Sequence, residues 1–161
     1  MEQGREALFF YTSRKFTAGN RLFTNCAGKN MENFLFPEGI SKKRNFIVSE
    51  EQTARYLGSG RSDVLATPAL VAWMEAVAQE IVDDVLPPDW QSVGNYIELR
   101  HSAMVPVGST VEIQAILSRV DEKELIFAVS AFDESGIISE GIHKRTFSRT
   151  AVLKRLLKRK K

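Results

Sequence analysis

The chain has 161 residues, 43% hydrophobic and 26% charged, with one cysteine and no apolar run near the ~20 residues of a membrane-spanning helix. These totals fit one soluble domain and exclude a disulfide framework, a cysteine-rich metal site and a transmembrane segment. Against a net charge of +2, the seven bases of residues 149–161 and the net +3 of residues 1–30 leave −8 for residues 31–148, so the sequence pI near 8.7 is no argument for nucleic-acid binding.

Residues 1–30 show no sustained period and are rich in Gly, Asn, Thr and basic side chains, the pattern of a poorly ordered extension. Their ALFF run is too short and poorly flanked for a secretory signal, so a cytoplasmic, reducing compartment is expected. Met31 opens a more coherent segment, and the domain is expected to span 31–148. NFIVS, ending at Ser49, reads as a short strand, and Glu50–Leu57 as a helical turn before the breaker at Gly58–Gly60. Thr67 and Pro68 then start a helix that should run to about Leu86, where Pro87 and Pro88 stop it. Four strands follow by alternation, roughly 92–102, 109–119, 124–132 and 137–148. DEK at 121–123 and DESG at 133–136 supply hairpin turns, and PVG at 106–108 a bend. The basic tail, RTAVLKRLLKRKK, is a solvated extension or short helix, or else a surface that attracts phosphates or anionic membranes. The order predicts an α+β domain, an antiparallel sheet covering one long helix, with an edge that invites a second copy. A homodimer is the expected form.

At about 100° per residue, Val71, Met74, Ala78, Ile81, Val82, Val85 and Leu86 form an apolar arc, and Glu75 falls inside it. A carboxylate there is either desolvated and put to chemical use, or sits at the arc's margin and reaches water. On the next strand Val93, Asn95, Ile97, Leu99 and His101 share the inward face, opposite Gly94, Tyr96, Glu98 and Arg100. A lone inward histidine is most simply a satisfied core residue. With an unpaired carboxylate facing the same interior, each can orient or charge the other. Capping alone explains Thr67 before Pro68. A helix N-terminus also offers N–H groups to a developing oxyanion, so the same hydroxyl can touch a substrate carbonyl. Gly94 either lets the backbone approach a ligand or marks a bulge. His143 and Arg145 share a face of the last strand, toward solvent or toward a second subunit.

Thr67, Glu75 and His101, a hydroxyl, a carboxylate and an imidazole from neighbouring elements, make an acyl-transfer site. Gly-rich phosphate loops, HExxH, CxxC and the serine elbow are all missing, and two histidines so far apart make a poor metal site. No metal or redox cofactor is expected.

VLATPALVAWMEAVAQE followed by SVGNYIELRHSAMVPVGSTVE resembles the hot-dog-fold thioesterases related to fluoroacetyl-CoA thioesterase. FDESGIISEGIHKRTF is similar to that family's closing hairpin with its GxHxR element. The resemblance covers about residues 42–148 and implies a hot-dog fold and thioester hydrolysis, with coenzyme A present only as part of the substrate. It places Thr67, Glu75, His101 and Gly94 on the family's site positions and Arg145 on a family arginine. Where the fluoroacetate-specialised enzyme carries a phenylalanine lid, this chain has Arg61. That implies a broader or different acyl preference, with Arg61 attracting CoA phosphates or an acyl carboxylate, or else pointing to solvent from its loop. The rival readings are a non-catalytic acyl-CoA-binding protein and a nucleic-acid or membrane-associated protein led by its basic tail.

Overall fold

The computed structural model describes residues 34–159; the extension assigned to residues 1–30 lies outside them. The elements are β1 (Ser41–Ile47), a 3-10 turn (Glu50–Gln52), α1 (Thr67–Asp83), β2 (Trp90–His101), β3 (Thr110–Asp121), β4 (Glu124–Asp133), β5 (Gly136–Arg149) and α2 (Thr150–Lys158). The strands form one sheet in the order β1-β3-β4-β5-β2, with every neighbouring pair antiparallel. The architecture is α+β, a five-stranded antiparallel sheet laid around one long helix.

Alternation dictates which sheet face is covered. On β3, Val111, Ile113, Ala115 and Leu117 are buried, and on β4 so are Leu125, Phe127, Val129 and Ala131. They meet Leu70, Met74, Val77, Ala78 and Ile81 of α1, all fully buried. Each large side chain sealed here contributes roughly 1.5–3 kcal/mol of transfer free energy. The turn between β3 and β4 is two residues long, with Glu122 at φ 52. The β4–β5 turn is closed by the Ser135 N–H donating to Asp133 Oδ1 and by Gly136 at φ 123.

Three expected boundaries shift for local reasons. The regular helix ends at Asp83, three residues early, where the Val85 N–H takes the i−3 carbonyl of Val82 in place of its helical i−4 partner. The first strand begins at Ser41, ahead of the expected segment. As a sheet edge it leaves most of its residues exposed, so its charged sequence hides the strand period. The tail forms α2, which starts directly from β5.

β2 departs most from the sequence reading. Gly94 pairs with Arg145 and Tyr96 with Lys144, so Asn95 is an extra residue in the ladder, a β-bulge. The bulge reverses the alternation upstream of it. Val93 turns outward and is 49% exposed, while Gly94 joins Ile97, Leu99 and His101 on the helix side. Asn95 donates from Nδ2 to the Thr146 hydroxyl at 2.9 Å, which holds the extra residue outside the ladder.

Candidate active site

Thr67 is the first residue of α1. Ala66 occupies the N-cap position, and no side chain caps the helix. The capping expected of Thr67 is therefore not made, because the hydroxyl lies one residue too far into the helix. It stands instead 3.0 Å from Nδ1 of His101, the last residue of β2. His101 Nε2 is buried without a hydrogen-bond partner, and so is the hydroxyl of Ser139, its register partner on β5. Burial holds the His101 pKa below the ordinary imidazole value of 6.5. The ring is neutral at neutral pH.

The two side chains line an open cleft of about 380 Å³, with Ser59, Leu65, Ala103 and Met104 on its walls. Arg61 is exposed and is not among the residues lining this cleft. Its segment is pinned by a two-point ion pair between Arg55 and Asp63 and by backbone bonds from Ala54 to Val64 and Arg55 to Ser62. Those bonds fix the loop on its own account.

Glu75 occupies the margin of the buried helix stripe, its side chain 42% exposed. Its carboxylate lies over Gly94: a Cβ built there would stand 2.7 Å from Glu75 Oε1 and 3.0 Å from His143 Cε1. Glycine at this position leaves the room the carboxylate occupies. The same oxygen is 3.9 Å from His143 Nδ1, and no ion pair joins Glu75 to His101. The expected Glu75–His101 partnership is thus resolved into two pairs, Thr67 with His101 and Glu75 with His143.

His143 and Arg145 face neither solvent nor a subunit boundary. They are 0% and 3% exposed, under α1. His143 Nδ1 lies 2.9 Å from the Tyr96 carbonyl, and a carbonyl only accepts, so this nitrogen carries the hydrogen. Nε2 then accepts from Arg145 Nη1 at 3.2 Å. Arg145 also donates from Nε to Ser92 Oγ (2.9 Å) and from Nη2 to Gln79 Oε1 (3.1 Å), with Nη1 at 3.5 Å from the Glu75 carbonyl. One guanidinium thereby ties β2, β5 and α1 together around Glu75. Burial lowers the His143 pKa, the Tyr96 bond opposes that, the Arg145 charge adds to it and Glu75 opposes it. Burial likewise lowers that of Arg145, against Glu75 and Asp83.

Sequence reading names His143 without placing it at the site, and misses Gln79, Ser92 and Ser139. Strand order holds the signal that finds the first: β5 lies inside the sheet, so an inward residue on it must be covered by α1. The described residues contain no group of three or more His, Cys, Asp or Glu able to hold a metal ion. No described helix is long and apolar enough to cross a membrane.

Comparison with known proteins bears on the fold and the activity. The fluoroacetyl-CoA thioesterase of Streptantibioticus cattleyicolor is 32% identical over 107 residues, covering 63% of this chain and 77% of the relative. A crystal structure of a fluoroacetyl-CoA-specific thioesterase variant with fluoroacetate and CoA matches with a TM-score of 0.69 at 29% identity, over 72% of this chain and 98% of that one. A thioesterase superfamily member from Thermus thermophilus matches at 0.73 and 27% identity, over 80% and 94%. A hot-dog-like protein from Thermanaerovibrio acidaminovorans does so at 0.71 and 27%, over 77% and 93%. With residues 48–150 also matching the family described as fluoroacetyl-CoA-specific thioesterase, the chain belongs to that family and is a hot-dog-fold acyl-CoA thioesterase.

Proposed function

We propose that the protein hydrolyses short-chain acyl-CoA thioesters as a cytoplasmic homodimer, with no metal or redox cofactor. The observation that carries the assignment of the site is the 3.0 Å contact between Thr67 Oγ1 and His101 Nδ1 at the wall of the cleft, beside the N-terminus of α1.

Two hydrogen placements satisfy that contact. With the hydrogen on Nε2, a buried donor would have no acceptor; with it on Nδ1, only an acceptor is left over, the milder cost. The second placement has His101 donating to Thr67 Oγ1, which frees the hydroxyl hydrogen for a substrate carbonyl. Thr67 and the first N–H groups of α1 then stabilise the oxyanion that forms on that carbonyl. Glu75, whose carboxylate lies over Gly94, attacks the carbonyl carbon or takes a proton from the attacking water. In the water route the C–S bond breaks as the tetrahedral intermediate collapses. The Glu75 carboxyl returns its proton to the thiolate, giving a carboxylic acid and coenzyme A.

Short acyl groups suit a cleft at the low end of small-molecule sites. Its lining includes no aromatic ring and no Arg61, so acetyl-CoA and fluoroacetyl-CoA are expected to turn over at comparable rates. Dimerisation through β2 fits its position as a twelve-residue edge strand with Val93 and Tyr96 about half exposed. The opposite edge, β1, carries Lys42, Lys43 and Arg44, which discourage strand pairing.

The test is thiol release from a panel of acyl-CoA thioesters by the native chain and by Glu75→Gln. The variant should stay folded and lose most turnover, because an amide can neither attack nor accept the proton. Unchanged kcat in folded Glu75→Gln removes Glu75 from the mechanism. Saturable binding with no turnover by the native chain makes it an acyl-CoA-binding protein instead.

A further inference from the structure

Of the two described α-helices, α2 alone has no buried residue. On a helical wheel Val152, Leu153, Leu156 and Leu157 fall within an arc of roughly 140°, and Lys154, Arg155, Lys158 and Arg159 fill the opposite side. The apolar arc stands largely open: Leu156 is 48% exposed and Leu157 67%. The four bases make no ion pair among the described residues. In the body, by contrast, Lys42 pairs with Asp84, Lys43 with Glu112, Arg44 with Glu80 and Lys144 with Glu124. Residues 149–161 contain no acid at all, and residues 150–158 are helical.

A solvated tail needs no leucine pair. A polyanion such as nucleic acid would use the basic side and leave the apolar side in water. An anionic bilayer engages both: phosphates for the lysines and arginines, and the acyl boundary for the leucines. The net −8 of residues 31–148 is repelled by the same surface, which turns α2 toward it and the body away. We propose that α2 is a docking element for anionic lipid surfaces.

The placement keeps the cleft free. α2 leaves β5 where Arg149 pairs with Trp90, and His101 pairs with Ser139 at the other end of the same ladder. At about 3.3 Å per residue the ladder is roughly 33 Å long. One short helix gives weak, reversible attachment, and two in a dimer strengthen each other by avidity.

The full-length protein is sedimented with phosphatidylcholine vesicles, with and without about one-third phosphatidylglycerol. Pelleting is expected with the anionic vesicles only, and should be abolished by about 0.5 M salt. Replacing three bases together (Lys154→Gln, Arg155→Gln, Lys158→Gln) should weaken partitioning about a hundredfold. Leu156→Ser with Leu157→Ser should weaken it about tenfold or more. Both variants should hydrolyse soluble acyl-CoA at the native rate, which shows them folded. Absence of pelleting, or equal pelleting with neutral vesicles, overturns the proposal. Full binding by the leucine variant overturns it in favour of a general polyanion site. A drop in oligomeric size in the leucine variant, with no native pelleting, would show a second copy covering the arc and also overturns it.

Discussion

Two histidines lie on the same sheet face, on adjoining strands, and their surroundings separate their duties. Both nitrogens of His143 are engaged by fixed protein atoms, the Tyr96 carbonyl and the Arg145 guanidinium, and the ring is fully buried. His101 has one nitrogen on a hydroxyl at the cleft wall and the other without a partner. A ring locked at both ends cannot change its hydrogens without breaking the packing that holds α1 to the sheet. A ring locked at one end can. Number of fixed partners, more than depth of burial, therefore decides which imidazole serves chemistry and which serves architecture.

The sharpest way to break this contrast is His101→Ala. Turnover per folded molecule should fall by about 10²–10³, the loss expected when the Thr67 hydroxyl is no longer oriented toward the oxyanion, with little change in melting temperature. Native kcat with a lowered melting temperature would make His101 a core residue and erase the distinction. The opposite pattern is expected for His143→Ala. Leaving the Tyr96 carbonyl and an Arg145 N–H unpaired should cost about 2–4 kcal/mol of stability, read by denaturant unfolding. Any kcat loss beyond about tenfold in the folded fraction would bring His143 into the chemistry.

Gly94→Ala sharpens the comparison from the side of Glu75. The added methyl meets the end of a flexible carboxylate before anything rigid, with the His143 ring next. Stability should fall, because the His143 ring 3.0 Å from the new methyl is fixed at both nitrogens, and kcat should fall about tenfold as Glu75 is pushed off its position. An unchanged kcat would show that the carboxylate works from elsewhere. The smallest effect is on pH dependence. Burial lowers both imidazole pKa values below 6.5, so the unfolded chain takes up protons at a higher pH than the native one. The stability gained by keeping the rings neutral is complete above about pH 6.5 and is lost as pH falls toward the native values. The acid-side fall in melting temperature should be shallower in a folded His143→Asn variant than in the native protein. Equal slopes would place the proton uptake elsewhere.

Much of the fold was legible because its signals are local and repeated. VEIQAIL on β3 and LIFAVSA on β4 alternate as half-buried strands do, and each turn carries its own chemistry. Thr67, His101 and the carboxylate of Glu75 were legible as candidates because a polar group on an apolar period is conspicuous. How they pair was not. A single-residue bulge leaves no trace in composition, so Gly94 was assigned the wrong face. Whether a Thr before Pro caps its helix depends on a one-residue offset of the helix start. Arg61 stood at a meaningful spacing, yet which way a loop residue points is set by backbone bonds formed elsewhere in the loop, here the Arg55–Asp63 clasp. His143 needed the strand order, which no stretch of sequence states.

The bulge at Asn95 also governs how β2 tolerates changes in length. Because Gly94 and Tyr96 already pair with consecutive residues of β5, removing Asn95 would leave both halves of the strand opposite their present partners. Removing a residue distant from the bulge would instead slide the segment between it and the bulge by a step and turn that segment's inward side chains out. β2 thus has one place where a residue can be lost without re-indexing the ladder. A relative one residue shorter there can therefore still set a glycine under its glutamate and a histidine beside its threonine.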